Sequence, residues 1–256
     1  DRHGYVWIWM GDPKLADEAL IPDFSRLTDP SLGRHRIGLN IEGNYQLIVD
    51  NLLDLSHLPY VHSTTTGNPP IVEDATVVNE RHGDTVLVKR WAKNIAPSRT
   101  FAEFGEYEEN IDVWSVSKFQ PPSYVSVNYG SLSAKNGLPE KGLDDDSLWQ
   151  PGHWGFQVYH GITPETDVTT HQFRYILHEK GSADEATTAE FYRQNDQIIN
   201  EDRVIFAAQQ KALLNDPQGA TASDIKSNSA IDADGGLDLA RAINSSIAKQ
   251  LDAAAE

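Results

Sequence analysis

Cysteine is absent from this 256-residue chain. That excludes disulfides, thiolate zinc sites and a thiol nucleophile built from its own residues. Long apolar runs are missing too, and none approaches the roughly 18 residues a membrane span requires. Positive charge is scarce: 21 Lys and Arg face 38 Asp and Glu, for a net charge of -17. Such a balance repels phosphate backbones and anionic lipid, so no nucleic acid and no membrane partner is expected. A local basic pocket for a small anion remains compatible with it. Absence of cysteine fits reducing and oxidising compartments alike, and the cytoplasm is the default expectation. The length suffices for one large domain with a substantial core.

What is present reads first as strands. The opening "DRHGYVWIWMGDP" sets Trp7 and Trp9 among smaller apolar residues and stops at Gly11-Asp12-Pro13, a pattern that predicts a strand and a turn. It starts abruptly, as the end of something longer would. Residues 36–49 are β-rich. Two β-branched runs around His82-Gly83-Asp84 predict a hairpin over 75–94. Two more strands flank Pro121-Pro122, and 153–179 reads as a pair joined across Thr163 to Asp167. The segment 134–152 lacks a hydrophobic period and predicts a surface loop or lid. From Ala186 the pattern turns helical as far as Asn215, and a loop at 215–236 precedes an Ala-rich helix over 238–255. The sum is an α+β domain, an antiparallel sheet of about six to eight strands with helices on one side.

The chemistry concentrates in "NLLDLSHLPYVH", residues 51–62. Leu52, Leu53, Leu55 and Leu58 belong in a core, yet Asn51, Asp54, His57 and His62 sit among them. A buried carboxylate such as Asp54 needs a partner. His57 is three residues on, within side-chain reach on a helix. His62 is poorly spaced for the same face, but Pro59 should end or kink the helix and let the chain curl back. Two converging imidazoles suit iron, zinc, copper or nickel; two independent, hydrogen-bonded histidines are the alternative. A third ligand is to be sought on the long C-terminal helix, where Phe191, Ile198 and Ile205 mark an inward stripe. Asp202 lies about 20° off that stripe, Glu201 on its flank, and Asp196 roughly 140° away, toward solvent. Asp202 could instead be salt-bridged to Arg203 or Lys211. Two His and one carboxylate would leave open positions for water and oxygen. The His-Glu-x-x-His form of a zinc hydrolase is absent.

The stretch "GNYQLIVDNLLDLSHLPYVHS" resembles the iron-binding segment of the catalytic domain of Rieske non-haem iron oxygenase α-subunits, with Asn-x2-Asp-x2-His-x4-His at Asn51, Asp54, His57 and His62. Within that group it looks most like the vanillate O-demethylase and dicamba monooxygenase branch. "HGYVWIWMGDP", "IPDFSRLTDP", "ITPETDVTTHQF" and "NEDRVIFAAQQ" resemble further family segments in the expected order, so the likeness spans essentially residues 1–256.

The resemblance implies a helix-grip catalytic domain, with residues 1–13 as the end of a preceding Rieske domain. It implies mononuclear Fe(II) on His57, His62 and Asp202, with Asn51 beside the iron. Asp54 would bridge electrons from a [2Fe-2S] Rieske cluster on a neighbouring subunit of a homotrimer. Because that cluster needs two Cys and this chain has none, it would lie in the preceding domain or on another chain. O2 and electrons from NAD(P)H, through a reductase or ferredoxin, would convert a small methoxylated aromatic acid to a phenol and formaldehyde. Asn128 and His160 would bind the substrate carboxylate. His153 and Arg174 could also hold a carboxylate, or be a satisfied strand histidine and a surface cation. His171 reads as structural, and His3, His35, His82 and His178 as surface or turn residues. Two rival expectations are a Rieske hydroxylase of another hydrophobic substrate, and a module that binds apolar ligands without redox chemistry.

Overall fold

The computed structural model describes residues 1–138, 152–179, 184–221 and 234–255. Its centre is a seven-stranded sheet. The first strand, β1 (Leu32–Ile41), is followed by helix α1 (Tyr45–Leu53), the short helices α2 (Leu58–Val61) and α3 (Pro70–Glu73), and the hairpin β2 (Thr76–His82) and β3 (Thr85–Ile95). After α4 (Arg99–Phe104) come β4 (Ile111–Gln120), β5 (Tyr124–Ser133), β6 (Trp154–Thr166) and β7 (Thr169–Glu179). Two long helices close the described chain, α5 (Glu185–Leu214) and α6 (Asp234–Ala255). The spatial order is β1-β7-β6-β5-β4-β3-β2 with every pair antiparallel.

Side chains alternate between the two faces of each strand. One face grips the helices: Val86, Val88, Phe119, Val125, Val127 and Ile162 pack on Leu47, Ile48 and Leu52 of α1, Phe206 of α5 and Ile243 of α6. Arg241 of α6 adds an ion pair to Asp50 of α1, both largely buried. The other face is covered in part by the N-terminal segment, where Tyr5, Phe24 and Leu27 meet Tyr159, Tyr175 and Leu177. Because both faces of the central strands are covered, β4 and β5 are buried along most of their length, as are Phe156–Ile162 of β6 and Arg174–Leu177 of β7. The α+β grip is therefore as the sequence predicts. Among the described residues no helix is long and apolar enough to cross a membrane.

Four local expectations need correction. Residues 1–13 hold no strand, only an isolated Arg2–Tyr5 bridge; the ring of Trp7 packs edge-on against Tyr124 at 5.2 Å, so its aromatics cover a sheet instead of joining one. The β-rich reading of 36–49 stops at Ile41, because Asn44 Oδ1 accepts the Gln46 N–H and caps α1. The turn between β6 and β7 is shorter than Thr163 to Asp167: pairing runs to Thr166 and Thr169, with a shift in register after Pro164. Finally, Asp196 faces β1 and is only 34 % exposed, both of its oxygens lying 3.1 Å from His35 Nε2. His35 and His178 are accordingly strand residues facing α5, the latter 2.7 Å from the Tyr192 hydroxyl. The expected loops at 134–152 and 215–236 fall mostly outside the described residues, apart from the start of α6 at Asp234.

Candidate metal centre and its cavity

The motif is built from short, separately capped turns, not from one helix. α1 ends at Leu53, and Asp54 takes an extended conformation in which its carboxylate accepts the Ser56 N–H at 2.9 Å. That caps a single 3-10 turn, Leu55–His57. Pro59 then occupies the first turn of α2, where its missing N–H is no loss. So Asp54 is off the buried stripe expected of it and half-exposed, and Pro59 starts a turn instead of breaking one.

These turns bring both imidazoles together. The rings of His57 and His62 lie 5.3 Å apart at an interplanar angle of 78°. His57 Nδ1–H donates to the Asp54 carbonyl at 2.8 Å, which leaves Nε2 as the bare nitrogen. His62 Nδ1–H donates to Glu201 Oε2 at 2.8 Å, again freeing Nε2. Asp202 comes from α5, on the buried stripe that in fact runs Phe191, Asn195, Ile199, Asp202, Phe206 and Gln210, with Ile205 half-exposed. Its Oδ1 lies 3.1 Å from His62 Nε2 and 3.8 Å from His57 Nε2. One ligand atom from each of the three residues fits within 4.8 Å of the others.

His62 Nε2 and Asp202 Oδ1, 3.1 Å apart, can share either a proton or a metal ion. Burial weighs most against charging His62, yet Asp202 and Glu201 together outweigh it and raise its pKa. His57 goes the other way: burial holds its pKa down more strongly than Asp202 lifts it. A neutral His57, a His62 oriented by a carboxylate and a third oxygen ligand form a donor set suited to a divalent transition metal. Asn51 stands beside it, its Nδ2 3.3 Å from His57 Nε2 and 3.4 Å from Asp202 Oδ1. The role of Glu201 was not foreseen; its only sequence signal is its place next to Asp202.

Loop closure behind the ligands is tight. The carbonyl of His62 accepts the N–H groups of Thr65 and Gly67 at 3.0 and 2.9 Å. A Cβ on Gly67 would sit 1.9 Å from the Leu58 carbonyl oxygen, so only glycine fits.

His57, His62 and Asp202 line a cleft of about 490 Å³ of empty space, part of it open to solvent. Its walls are apolar, with Leu52, Val127, Phe156 and Val158 among them, and Tyr129 beside them. Burial first, then the charge of Asp202, raises the Tyr129 pKa, so its hydroxyl stays protonated. His160, Arg174 and Asn195 also line the cleft. Asn128 does not: Val127 and Tyr129 point inward, so its side chain projects to the opposite sheet face, where its neighbour across the strands is Val116. His153 is likewise away from the cleft, its ring 5.0 Å from Trp114. Nor is Arg174 a surface cation, being 4 % exposed. His171 is exposed on the outer face, 3.4 Å from Glu165.

A family model described as the vanillate O-demethylase oxygenase C-terminal domain matches residues 41–250. Among curated proteins, the chain is 32 % identical over 223 residues to the putative toluene-4-sulfonate monooxygenase system iron-sulfur subunit TsaM2 of Comamonas testosteroni, covering 85 % of this chain and 62 % of that protein. It is 30 % identical over 259 residues to a vanillate O-demethylase oxygenase subunit of Pseudomonas sp. (strain HR199 / DSM 7063), covering 99 % of this chain and 69 % of that one. A crystal structure of dicamba monooxygenase bound to 3,6-dichlorosalicylic acid aligns with a TM-score of 0.80 at 23 % identity, over 99 % of this chain and 69 % of that chain, a likeness of fold. The chain thus spans about 62 % of the length of the sulfonate relative.

Proposed function

This chain belongs to the vanillate O-demethylase oxygenase C-terminal domain family, and from that premise we propose that it is the mononuclear-iron domain of a Rieske-type oxygenase acting on methoxylated aromatic acids. The observation that carries the reading is the convergence of His57, His62 and Asp202, one ligand atom of each lying within 4.8 Å of the others. His57, His62 and Asp202 would hold Fe(II). Bound there, it would supply activation of O2, with electrons arriving from a [2Fe-2S] Rieske cluster on a neighbouring subunit of a homotrimer, fed from NAD(P)H by a reductase or ferredoxin.

The residues of the chain do the rest. Leu52, Val127, Phe156 and Val158 exclude water around the methyl ether. Glu201 and the Asp54 carbonyl fix both imidazoles with Nε2 toward the cleft. Asp54 reaches from the partly exposed surface to the backbone bond with His57, which suits it to link a neighbouring cluster to this site. Over the whole reaction one oxygen atom of O2 enters a methyl C–H bond, and the other leaves as water with two protons and two electrons. The hemiacetal so formed breaks its C–O bond to give a phenol and formaldehyde.

The test is Fe(II) stoichiometry after anaerobic loading, for the protein and its His57→Ala and Asp202→Ala variants. One iron per chain, lost in both variants, is expected. Iron binding indifferent to both changes would overturn the reading and leave a module that binds apolar ligands without redox chemistry. The sulfonate relative favours a second reading, hydroxylation of an aryl methyl group on an aromatic sulfonate. Formaldehyde release from methoxybenzoates separates the two, since methyl hydroxylation on carbon releases none.

A further inference from the structure

Where Asn195 meets the cleft, seven residues and about 10 Å along α5 from Asp202, the lining offers hydrogen-bond donors and a fixed positive charge. Arg174 of β7 and His160 of β6 are direct partners across the two strands and point into the same cleft. Arg174 has no carboxylate within ion-pair distance among the described residues. The acids nearest its charge are engaged elsewhere, Asp196 with His35 and Asp202 with His62. Two of the five guanidinium N–H groups are held by Asn195 of α5, one by its carbonyl at 3.3 Å and one by its Oδ1 at 3.1 Å. Asn195 is itself fixed, its Nδ2 donating to the Phe191 carbonyl at 3.0 Å. The remaining N–H groups have no acceptor among the described residues. His160 contributes another donor: Gln172 Nε2–H donates to His160 Nδ1 at 2.9 Å, which puts the ring proton on Nε2.

A guanidinium buried without a counter-charge is strongly unfavourable unless something supplies one. Burial pushes Arg174 down to about 10, so it remains a cation at neutral pH. Burial, then the neighbouring Arg174, holds His160 well below its ordinary range, so that ring is neutral. Structural need alone would be met by an uncharged donor to Asn195.

We infer that Arg174, clamped by Asn195 and flanked by His160, is the anion-binding subsite of this cleft, and that it seats an aromatic ligand by a carboxylate or sulfonate. This rests on the oxygenase reading only for the fate of the ligand; the anion preference stands on the subsite alone. It also moves the anchor from Asn128, which faces the other side of the sheet, to Arg174 on the cleft side. Both oxyanions offer acceptors to a planar donor fork, and the structure selects the charge in either case.

The test is equilibrium binding to the iron-loaded protein of three probes, 4-methoxybenzoate, 4-toluenesulfonate and neutral 4-methoxybenzamide. The wild type should prefer at least one of the two anions to the amide by about 30-fold, the scale of one buried charge partner. Arg174→Gln should erase that preference while changing amide affinity less than about threefold, and Arg174→Lys should restore part of it. The tighter of the two anions identifies the natural headgroup. A wild type that binds the amide as well as both anions, or an Arg174→Gln variant that keeps the preference, overturns the subsite. Iron content measured on the same samples keeps the two readings apart. Anion preference without iron would sink the oxygenase reading alone, and iron without anion preference would sink the subsite alone.

Discussion

The two ends of the cleft are chemical opposites. At one end, ligand atoms from His57, His62 and Asp202 converge, a set that suits a cation. At the other, N–H groups from Arg174 and His160 face the same space, a set that suits an anion. They also differ in how they are made. The metal end is assembled from consecutive capped turns after α1, and α5 delivers a single acid. The anion end stands on β6 and β7, in the middle of the sheet, with Asn195 from the same α5 as its brace. A ligand spanning the cleft would therefore be oriented by charge before any contact with its ring is considered, its anionic head at the strands and its far end at the metal. Polarity alone gives the cleft a direction.

That division can be broken by a variant that disturbs both ends at once. The largest effect is expected from Asp202→Ala: metal loading should fall from about one ion per chain to none, while 4-methoxybenzoate affinity of the metal-free proteins shifts by less than about threefold. Collapse of both would mean that the ends are one unit. Glu201→Gln keeps an acceptor but removes the charge that orients His62, and metal affinity should weaken by about 10- to 100-fold in a competition titration. Anion affinity should not move. Asn195→Ala is the reciprocal change. It releases the Arg174 fork, and the anion preference should fall about tenfold, equal to about 1.4 kcal/mol, with metal affinity intact.

A smaller effect sharpens the comparison through pH. Neither Arg174, at about 10, nor His160, held neutral by burial, changes charge between pH 6 and 8.5. A benzoate carboxylate is ionised throughout that range. Binding of 4-methoxybenzoate to the iron-loaded protein, where His57 and His62 cannot take up a proton at Nε2, should therefore be flat, within about twofold. If His160 were charged at the acid end, affinity would instead rise as pH falls. Asn128→Ala should do least of all, leaving ligand and metal affinity within about twofold, because its side chain lies behind the sheet.

The sequence disclosed the two ends unequally. His57 and His62 are five positions apart, and local turns were enough to bring them together. Asp202 was selected by its angle on α5, even though the assumed stripe through Ile198 and Ile205 was rotated from the real one. The anion end has no such local signal, and His160 is reached only through the family resemblance. Alternation identifies the inner face of a strand only when the other face is polar, and most of β5, Phe156–Ile162 of β6 and Arg174–Leu177 of β7 are buried on both. Asn128 is expected in the cleft from the family resemblance alone, and a single step of parity from Val127 and Tyr129 puts it on the other face. Arg174 is open to both readings, carboxylate partner or surface cation, because nothing in its own strand shows that α5 covers it. The N-terminal tryptophans misled for a related reason: aromatic alternation marks a segment that lies on a sheet as well as one that joins it.

Gly67 carries no functional group, touches no ligand and would escape any search for chemistry. Yet a methyl there would meet the Leu58 carbonyl at 1.9 Å, on the backbone of the turn that ends in His62. In a saturation scan this position should score among the least tolerant of the segment, on a par with the ligands themselves. Its intolerance would report a backbone that leaves no room for a side chain, not a missing reactive atom. Tracing the limits of this site by mutational sensitivity alone would therefore enrol a residue whose whole contribution is to be small.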